Sequence, residues 1–383
     1  MINPFKYGTV VTGEAFCNRK AELRDLRHAI ENGEKLFVYS ERRLGKTSLV
    51  RAAIDKLPQR KFIPIYIDLW PTDSEESFTT MTAKVISQTV GSTPKKMLDT
   101  AKSLFTQLVP NVSLDDAGKP TINFGVTAPR RKDVELEEVL KAPATIAARR
   151  KRRVVVVLDE IQRILEYEDD LVERKLRSII QHQPDVCYLF LGGRKHLVRQ
   201  MFLDKSRPLY RSAGHYPLGS IDEPHWIEFV RKRFVDADKT IDDATIRSAC
   251  RLTEGHPFYT QYLFHVLWEL GEPKTKLTDA SIQTALRILL DRESHAYTML
   301  WESLTAHQRR FLRGLAFEPR GVKPFSSAFT MRYGLRSASN AQRASQSLVQ
   351  KDVIDPDNGS FVIVDRFFRL WIRNPRCGVD PVN

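Results

Sequence analysis

Short runs of apolar, mostly β-branched residues alternate with helical patterns over the first 220 positions of the chain. Four of these runs are short and apolar on both faces, which is typical of buried strands. They are KLFVYS (35–40), KFIPIYIDLW (61–70), RRVVVVLDE (152–160) and VCYLFLGG (186–193). Strands that alternate with helices predict a parallel sheet with helices on both faces, an α/β fold with a three-layer αβα core.

A long insertion, at about residues 71–145, separates the second run from the third. Polar and apolar residues alternate over 111–126 on both sides of an Asp-Ala-Gly-Lys-Pro turn, which predicts a β-hairpin. The pattern assigns no role to this insertion.

Helical patterns replace the strand pattern after residue 220, at about 223–237, 241–253, 256–270 and 278–300. Three further helical segments follow, the third with Ser337 as its predicted N-cap, and then a hairpin around Asn358-Gly359. Three helices and a two-stranded wing are typical of a winged helix-turn-helix. We therefore expect a core at 1–220, a helical lid domain at 221–300 and a winged helix domain at 301–383, in which the apolar segment DRFFRLWI packs under the wing.

The chain has 383 residues, of which 42% are hydrophobic and 28% charged, an ordinary composition for a soluble globular protein. Its apolar run at Val154–Leu158 is far shorter than the roughly 20 residues of a membrane span. The N-terminal sequence does not have the layout of a secretory signal, so we expect a cytoplasmic protein without a membrane partner.

The four cysteines are widely scattered and form no Cys-x-x-Cys pair, which argues against a zinc site and against a disulfide framework. A net charge of +13 favours an anionic partner through long-range attraction. The charge alone does not distinguish DNA, RNA and acidic protein.

The stretch SERRLGKTSLV, residues 40–50, follows the first predicted strand and opens a predicted helix. In this geometry backbone N–H groups and a helix N-terminus bind phosphate oxygens. Lys46 would reach the β- and γ-phosphates, and the Thr47 hydroxyl would hold Mg²⁺. The predicted nucleotide-binding residues of this loop are Ser40, Arg42, Arg43, Leu44, Gly45, Lys46, Thr47 and Ser48.

The valine-rich third strand ends in two adjacent carboxylates, Asp159 and Glu160, at the sheet edge where ligands bind in open α/β sheets. Asp159 would position Mg²⁺, directly or through water, and Glu160 would polarise the water that attacks the γ-phosphate. A buried strand could also end in two acids for structural reasons alone. Together with the loop, the acids favour a nucleotide site.

Ser40 stands where the first glycine of a phosphate loop is expected. Serine adopts many turn conformations, and a positive φ would cost it on the order of 1 kcal/mol, so we expect nucleotide binding to survive. The chain has no Asn/Thr-Lys-x-Asp element to read guanine, because TKLTD (275–279) is one residue too long, and adenine is therefore preferred.

Eight segments along most of the chain carry a family resemblance. They are NPF (3–5), FCNRKAEL (16–23), RRLGKTSL (42–49), VVVVLDEIQ (154–162), FLGG (190–193), RPLYRSAGHYPL (207–218), GHPFY (255–259) and DRFFRLWIR (365–373). Together they resemble archaeal-type P-loop ATPases of the AAA+/STAND grouping, which are similar to archaeal replication initiators and to transposition-regulator ATPases. The resemblance implies an ATPase core, a helical lid and a C-terminal winged helix, with ATP and Mg²⁺ as ligands.

The resemblance also implies roles for residues outside the loop. Phe16 and Arg19 match a motif near the adenine, although a packed Phe and a surface Arg would look the same. His256 and Pro257 match the lid motif that reaches the nucleotide, although His256 could also only begin a helix. Arg211 matches a phosphate-facing arginine, although Arg-Ser replaces the Gly-Arg of the family. After the fourth strand, Gly193 and Arg194 stand where a small polar γ-phosphate sensor is usual.

Two polar surfaces are candidates for binding a macromolecule. Five consecutive basic residues, 149–153, precede the valine strand and either attract an anion or form a solvated strand entrance. The third helix of the winged helix carries a polar face suited to base edges and phosphates, or to docking a protein. Its possible DNA contacts are Ser339, Asn340, Arg343 and Gln346.

The sequence as a whole predicts an ATP-binding molecular switch with slow or partner-stimulated hydrolysis, in which Glu160, Lys46 and Arg211 are catalytic. The switch would act on DNA or on a DNA-associated partner, and ATP or ADP would control a homo-oligomer. One alternative is a STAND-type signalling ATPase whose winged helix docks a protein. The other is a nucleotide-binding scaffold without turnover.

Overall fold

The computed structural model describes residues 2–125, 132–272, 276–357 and 359–374. Some of the predicted features extend beyond these ranges. The positions outside the described residues are Met1 of the predicted core, 126–131 of the insertion with the last residue of its hairpin, 273–275 of the predicted lid domain with the first residue of TKLTD, Asn358 of the wing turn and 375–383 of the winged helix domain.

Two compact units are formed by interleaved parts of the chain. The sheet unit consists of residues 19–40 and 46–218. The helical unit consists, among the described residues, of those up to 18, of 41–45 and of those from 219 onwards. The predicted division at residues 220 and 300 remains a proposal.

The sheet unit alternates strands and helices, and all four predicted strands are present. Its strands are β1 (Lys35–Tyr39), β2 (Phe62–Asp68), β3 (Val109–Leu114), β4 (Pro120–Gly125), β5 (Arg153–Asp159), β6 (Val186–Gly192) and β7 (Gly214–Pro217). Its helices are α1 (Lys20–Asn32), α2 (Lys46–Ile54), α3 (Glu75–Val90), α4 (Pro94–Leu104), α5 (Lys132–Arg150), α6 (Leu171–Ile180) and α7 (Lys195–Leu203), with a 3₁₀ segment at Ile161–Glu166.

The main sheet has the order β2-β5-β6-β1-β7, and every pair in it is parallel. This arrangement confirms the predicted parallel α/β sheet. The sequence analysis missed β7, because this strand has four residues, lies at an edge next to β1 and is mostly exposed, so it carries no apolar run.

The register of the central strands brings their carboxyl ends to one edge. Tyr39 of β1 pairs with Gly192 of β6, and Leu158 of β5 pairs with Phe190 of β6. Residues 154–159 of β5 are all buried, which explains the run of valines. The end of β1 and the acids that end β5 therefore lie at the same edge of the sheet.

The insertion contains α3, α4, most of α5 and an antiparallel hairpin of β3 and β4 that is separate from the main sheet. Asp115 Oδ1 accepts hydrogen bonds from the backbone N–H groups of Ala117 and Lys119 and so closes the hairpin turn. The predicted hairpin is confirmed over its described residues.

The first element of the helical unit along the chain is a 3₁₀ turn at Gly13–Ala15, and its helices and strands follow the sheet unit in the sequence. Its helices are α8 (Glu223–Asp236), α9 (Asp243–Thr253), α10 (Pro257–Leu270), α11 (Asp279–Glu302), α12 (Ala306–Phe317), α13 (Ser327–Arg332), α14 (Ala338–Gln350) and α15 (Arg366–Arg373). Its strands are β8 (Thr240–Ile241), β9 (Lys276–Leu277), β10 (Ile354–Asp357) and β11 (Ser360–Ile363). None of the helices in the described ranges is long and apolar enough to cross a membrane.

The pairing of β8 with β9 adds two short strands to the region at about 223–300, where the sequence pattern predicted only helices. Two-residue strands are too short to show a period of two, so the pattern could not reveal them. The pair ties the start of α9 to the start of α11.

The winged helix is built from α12, α13, α14 and the antiparallel pair β10 and β11. Ser337 caps α14 as predicted, because its side chain accepts a hydrogen bond from the N–H of Asn340. The segment DRFFRLWI forms α15, whose first turn is capped by Asp365. Phe368 and Trp371 of α15 are buried, and α15 packs against α11, α12 and the wing strand β11.

A close approach of two helices gives the first prediction. A Cβ atom on Gly314 of α12 would lie 2.2 Å from Cζ of Phe329, a buried residue of α13. We expect Gly314→Val to lower the free energy of unfolding by about 2 kcal/mol, because the core would be overpacked. The melting temperature of the full chain measures this effect.

Gly219→Val is the matched control. Gly219 is exposed, and a Cβ atom there would have no neighbour within 4 Å. The control should melt like the wild type. Equal melting temperatures for the two variants would contradict the packing argument.

Candidate nucleotide-binding site

Two distant chain segments meet at the carboxyl edge of the sheet unit. Thr47 lies in the first turn of α2, and Asp159 is the last residue of β5. Thr47 Oγ1 donates a hydrogen bond of 2.8 Å to Asp159 Oδ2. The two residues predicted to hold Mg²⁺ are therefore neighbours.

Lys46 is the first residue of α2, and its side chain is buried against Ser40. Lys46 Nζ donates a hydrogen bond of 3.0 Å to Ser40 Oγ. Ser40 does not have a positive φ, so the strain considered for a serine at this position does not arise. A phosphate oxygen would offer the same ammonium group a charged and therefore stronger acceptor.

Tyr66 of β2 also contacts Asp159, and the sequence analysis missed it. The Tyr66 hydroxyl donates a hydrogen bond to Asp159 Oδ2, and the Arg51 guanidinium lies 4.1 Å from the centre of the Tyr66 ring. Burial, and then the charge of Asp159, raises the pKa of Tyr66, so its hydroxyl stays protonated and acts as a donor. A single tyrosine within an otherwise buried strand was the signal available in the sequence.

Glu160 follows β5 directly and has a positive φ of 56°. Its backbone N–H donates to Asp159 Oδ1 at 2.9 Å, which turns the chain away from the strand. The side-chain amide of Gln162, a buried residue, donates to Glu160 Oε2. The sequence analysis did not assign Gln162 a role, although it lies only two positions after Glu160.

Loop residues 41–45 belong to the helical unit and make their contacts there. The Arg42 carbonyl accepts a hydrogen bond of 3.1 Å from Nε2 of His256, a buried residue at the start of α10. The Arg43 guanidinium lies 4.3 Å from the centre of the Phe258 ring. His256, which was predicted to reach the nucleotide, thus contacts the backbone of the predicted phosphate loop.

The backbone of the loop turns at two positions with positive φ, Arg43 at 61° and Gly45 at 88°. A Cβ atom at Gly45 would have no neighbour within 4 Å, so glycine is favoured there by the backbone angle rather than by space. Leu44 between them is buried, as is Ser48 in α2.

The remaining residues that were predicted to contact the nucleotide lie outside the loop and outside the end of β5. Phe16 is half-buried and ends the 3₁₀ turn, and Pro257 is the first residue of α10. Arg19 is buried, has a φ of 69° and forms an ion pair of 2.6 Å with Glu22. Arg211 is exposed, and its guanidinium lies 5.3 Å from the centre of the neighbouring Tyr210 ring.

The position of the usual γ-phosphate sensor is occupied by Gly193 and Arg194 at the end of β6. Arg194 Nη1 forms an ion pair of 2.9 Å with Glu166. The structure shows no small polar side chain at these two positions.

The polar face predicted for α14 lies on the surface of the winged helix. Ser339, Arg343 and Gln346 are exposed, and Asn340 is half-buried. Arg343 Nη2 donates a hydrogen bond of 2.8 Å to Asn340 Oδ1. The basic run 149–153 covers the end of α5 and the start of β5, at the amino end of that strand.

The fold and the site together define a P-loop ATPase. The chain belongs to the family of ATPase domains found predominantly in Archaea, whose model matches residues 16–263. A model described as a probable winged helix domain matches residues 295–374. The predicted membership of the archaeal-type P-loop ATPases is thereby confirmed.

Solved structures share the fold along almost the whole chain. A Walker-type ATPase of Pyrococcus abyssi is 17% identical, with a TM-score of 0.66, and the match covers 97% of this chain and 100% of that chain. The ORC2 protein of Aeropyrum pernix, solved as ADPNP–ADP complexes, is 12% identical, with a TM-score of 0.54 and coverages of 97% and 98%. The ORC1 protein of Aeropyrum pernix in complex with DNA is 15% identical, with a TM-score of 0.50 and coverages of 97% and 94%.

At these identities the likeness shows the fold alone. No curated protein matches the chain.

Thr47 and Asp159 have the donor atoms that a magnesium site needs. Mg²⁺ prefers oxygen ligands and keeps several waters and substrate phosphates in its coordination shell, so one hydroxyl and one carboxylate are sufficient from the protein. The 2.8 Å between Thr47 Oγ1 and Asp159 Oδ2 places both oxygens at one point of the site. The residues therefore fit Mg²⁺.

The contact of Tyr66 with Asp159 gives the second prediction. We expect Tyr66→Phe to raise the Mg²⁺ concentration for half-maximal nucleotide binding by about tenfold, because the Asp159 carboxylate loses one of the three donors that orient it. A fluorescent adenine nucleotide titrated at fixed Mg²⁺ concentrations measures this change.

Tyr167→Phe is the control, because its hydroxyl bonds Thr72 rather than Asp159. It should show the Mg²⁺ dependence of the wild type. An unchanged dependence in Tyr66→Phe would show that Asp159 is held without the tyrosine.

Proposed function

We propose that this protein is an ATP-binding molecular switch that hydrolyses ATP slowly or on stimulation by a partner. The observation that carries the proposal is the meeting of Lys46, Thr47 and Asp159 at the carboxyl edge of the sheet unit. Binding of a magnesium triphosphate requires at least a phosphate loop with a lysine and a hydroxyl, and an acid at the end of a buried strand.

Each of these residues has a defined task in binding. The backbone N–H groups of the loop and Lys46 bind the β- and γ-phosphates, and Thr47 with Asp159 holds Mg²⁺. Mg²⁺, when bound, neutralises the charge on the phosphates. The adenine contacts assigned to Phe16, Arg19, His256 and Pro257 are part of the same proposal.

The slow turnover follows from the surroundings of Glu160. We assign it the task of orienting and polarising the attacking water. Its carboxylate is hydrogen-bonded by the Gln162 amide, and it has to exchange this partner for the water. Arg211 is exposed and is proposed as a phosphate-facing arginine, within the chain or across a subunit boundary.

The switch is proposed to assemble on DNA as a homo-oligomer whose formation depends on nucleotide. Each chain of this oligomer would have the three predicted domains. Support comes from the exposed polar face of α14 with Arg343, and from the net charge of +13. The fold is shared with an ORC1 protein that was solved in complex with DNA. A cytoplasmic location belongs to the same proposal.

A second candidate is a STAND-type signalling ATPase whose winged helix docks a protein. The winged helix exposes Met331 at 82% and Phe317 at 50% of their surfaces, and exposed apolar side chains favour a protein partner. Size-exclusion chromatography with light scattering, with and without non-hydrolysable ATP and DNA, distinguishes the candidates. Growth of the complex only when both ligands are present supports the DNA switch, and indifference to DNA supports the docking protein.

Binding and turnover should separate in two variants, which is the third prediction. We expect Lys46→Ala to weaken ATP binding by at least about a hundredfold, because a charge-assisted phosphate contact is lost. Glu160→Gln should bind ATP like the wild type and release phosphate at least about a hundredfold more slowly. Calorimetry and a phosphate-release assay measure the two effects.

Lys56→Ala, at an exposed lysine after α2, is the control and should behave like the wild type in both assays. A wild type that binds ATP without releasing phosphate would instead make the protein a nucleotide-binding scaffold. A wild type that does not bind ATP would refute the proposal.

The fourth prediction concerns the winged helix. Arg343→Ala should weaken ATP-dependent DNA binding and reduce the slope of log affinity against log salt by about one, because one phosphate contact is lost. Arg287→Ala removes the same charge from an exposed position of α11 and should leave the slope unchanged. Equal slopes for the two variants would place the DNA contact elsewhere.

A further inference from the structure

The predicted phosphate loop is held from the side of the winged helix. Arg366, the first residue of α15, is 5% exposed, and its Nη2 forms an ion pair of 2.6 Å with Glu41 Oε2. Arg366 Nε bonds Glu254 Oε2 at 3.0 Å, and Arg366 Nη1 bonds the Val364 carbonyl at 2.9 Å. All three nitrogens of this guanidinium are engaged, so its position is fixed.

Glu254, the C-cap residue of α9, is the centre of this network. Its Oε1 accepts from Arg369 at 3.1 Å, and its Oε2 accepts from both Arg366 and Arg320. Three arginines thus share one carboxylate. Arg366 also pairs with Glu41 in the loop.

A second tie reaches the next residue of the loop. Arg42 Nη2 forms an ion pair of 3.1 Å with Asp352, which lies between α14 and β10. The Arg42 carbonyl is also bound by His256. Two successive loop side chains, Glu41 and Arg42, are therefore both bound by residues of the winged helix.

The ion pair with Arg366 has a direct consequence for the loop. The backbone of residues 41–45 would supply the N–H groups that a phosphate loop uses, and the first side chain of this segment, the half-buried Glu41, pairs with the buried Arg366 of α15. Separating this ion pair would cost free energy, because the buried guanidinium would then be desolvated without a partner that compensates its charge. A displacement of α15 therefore acts on the backbone of the loop through Glu41.

We propose that Arg366 is a positioning residue of the phosphate loop: through Glu41 it holds the loop in the conformation that binds phosphate, so nucleotide affinity depends on the placement of α15. The inference rests on the proposed function, since it requires that the loop bind a nucleotide. By reciprocity, nucleotide binding stabilises the attachment of α15 to the loop.

The test compares nucleotide affinities of the full-length protein by calorimetry with Mg²⁺–ATP and Mg²⁺–ADP. We expect Arg366→Ala and Glu41→Gln each to bind about tenfold more weakly than the wild type, a usual size for a coupling between sites. Arg366→Lys keeps the charge and should recover part of the loss. The double variant should bind no more weakly than either single variant, because both remove the same tie.

Arg320→Ala is the matched control. Arg320 shares Glu254 with Arg366, and its side chain is half exposed. It should bind nucleotide like the wild type. Glu41→Gln changes a side chain on the loop and leaves the core of the winged helix intact, so it provides the test if Arg366→Ala fails to fold.

A second readout separates positioning from simple destabilisation. Nucleotide should slow the amide hydrogen exchange of residues 366–373 in the wild type and have little effect on it in Glu41→Gln. Wild-type affinity in Glu41→Gln, or equal losses in Arg320→Ala and Arg366→Ala, would overturn the inference and leave the proposed function standing. A wild type that binds no nucleotide would overturn both.

Discussion

The contact between Thr47 and Asp159 depends on the parallel register of β1, β6 and β5, and the rest of the site is arranged around it. Asp159 Oδ2 accepts from Thr47 and Tyr66, and Oδ1 accepts from the backbone of Glu160. A carboxylate that is 5% exposed is costly unless its oxygens are hydrogen-bonded, and these three donors meet that requirement. Because Asp159 is the last residue of β5, the register of β5 in the sheet fixes the position of its carboxylate.

The predicted phosphate loop, residues 40–48, contains a single glycine, Gly45. Glu41, Arg42 and Arg43 contact Arg366, Asp352 and Phe258 through their side chains. Each of these contacts engages a side chain and not a backbone N–H group. The loop has two positive φ angles, at Gly45 and at Arg43, and the arginine accepts a conformation that costs it on the order of 1 kcal/mol. Ser40 lies outside this bend and provides an acceptor for Lys46.

The helical unit joins three helices of its C-terminal part, α12, α14 and α15, through a single hydrophobic core. The core includes Leu348 of α14, Phe311 of α12 and Trp371 of α15. Interiors are densely packed and transmit displacement, so a ligand that moves the polar face of α14 has a physical route to α15. The ion pair between Arg366 and Glu254 joins the first residue of α15 to the end of α9. Residues 41–45 and the winged helix thus belong to one compact unit.

The sequence alone determined the local features, because they depend on neighbouring residues. Short apolar runs predicted the four buried strands, helical spacing predicted the helices after residue 220, and the Asn-Gly turn predicted the wing. Gly-Lys-Thr after one strand and Asp-Glu after another predicted the two segments of the candidate site. It missed β7 and the pair of β8 with β9, which are too short or too exposed to show a pattern.

Only the tertiary structure decided which side chains complete the site. Tyr66 reaches Asp159 from an adjacent strand, and Arg366 reaches Glu41 from more than 300 positions along the chain. No spacing along the chain encodes such contacts. They arise because sheet register and helix packing bring remote side chains together, and a buried charge then requires a partner.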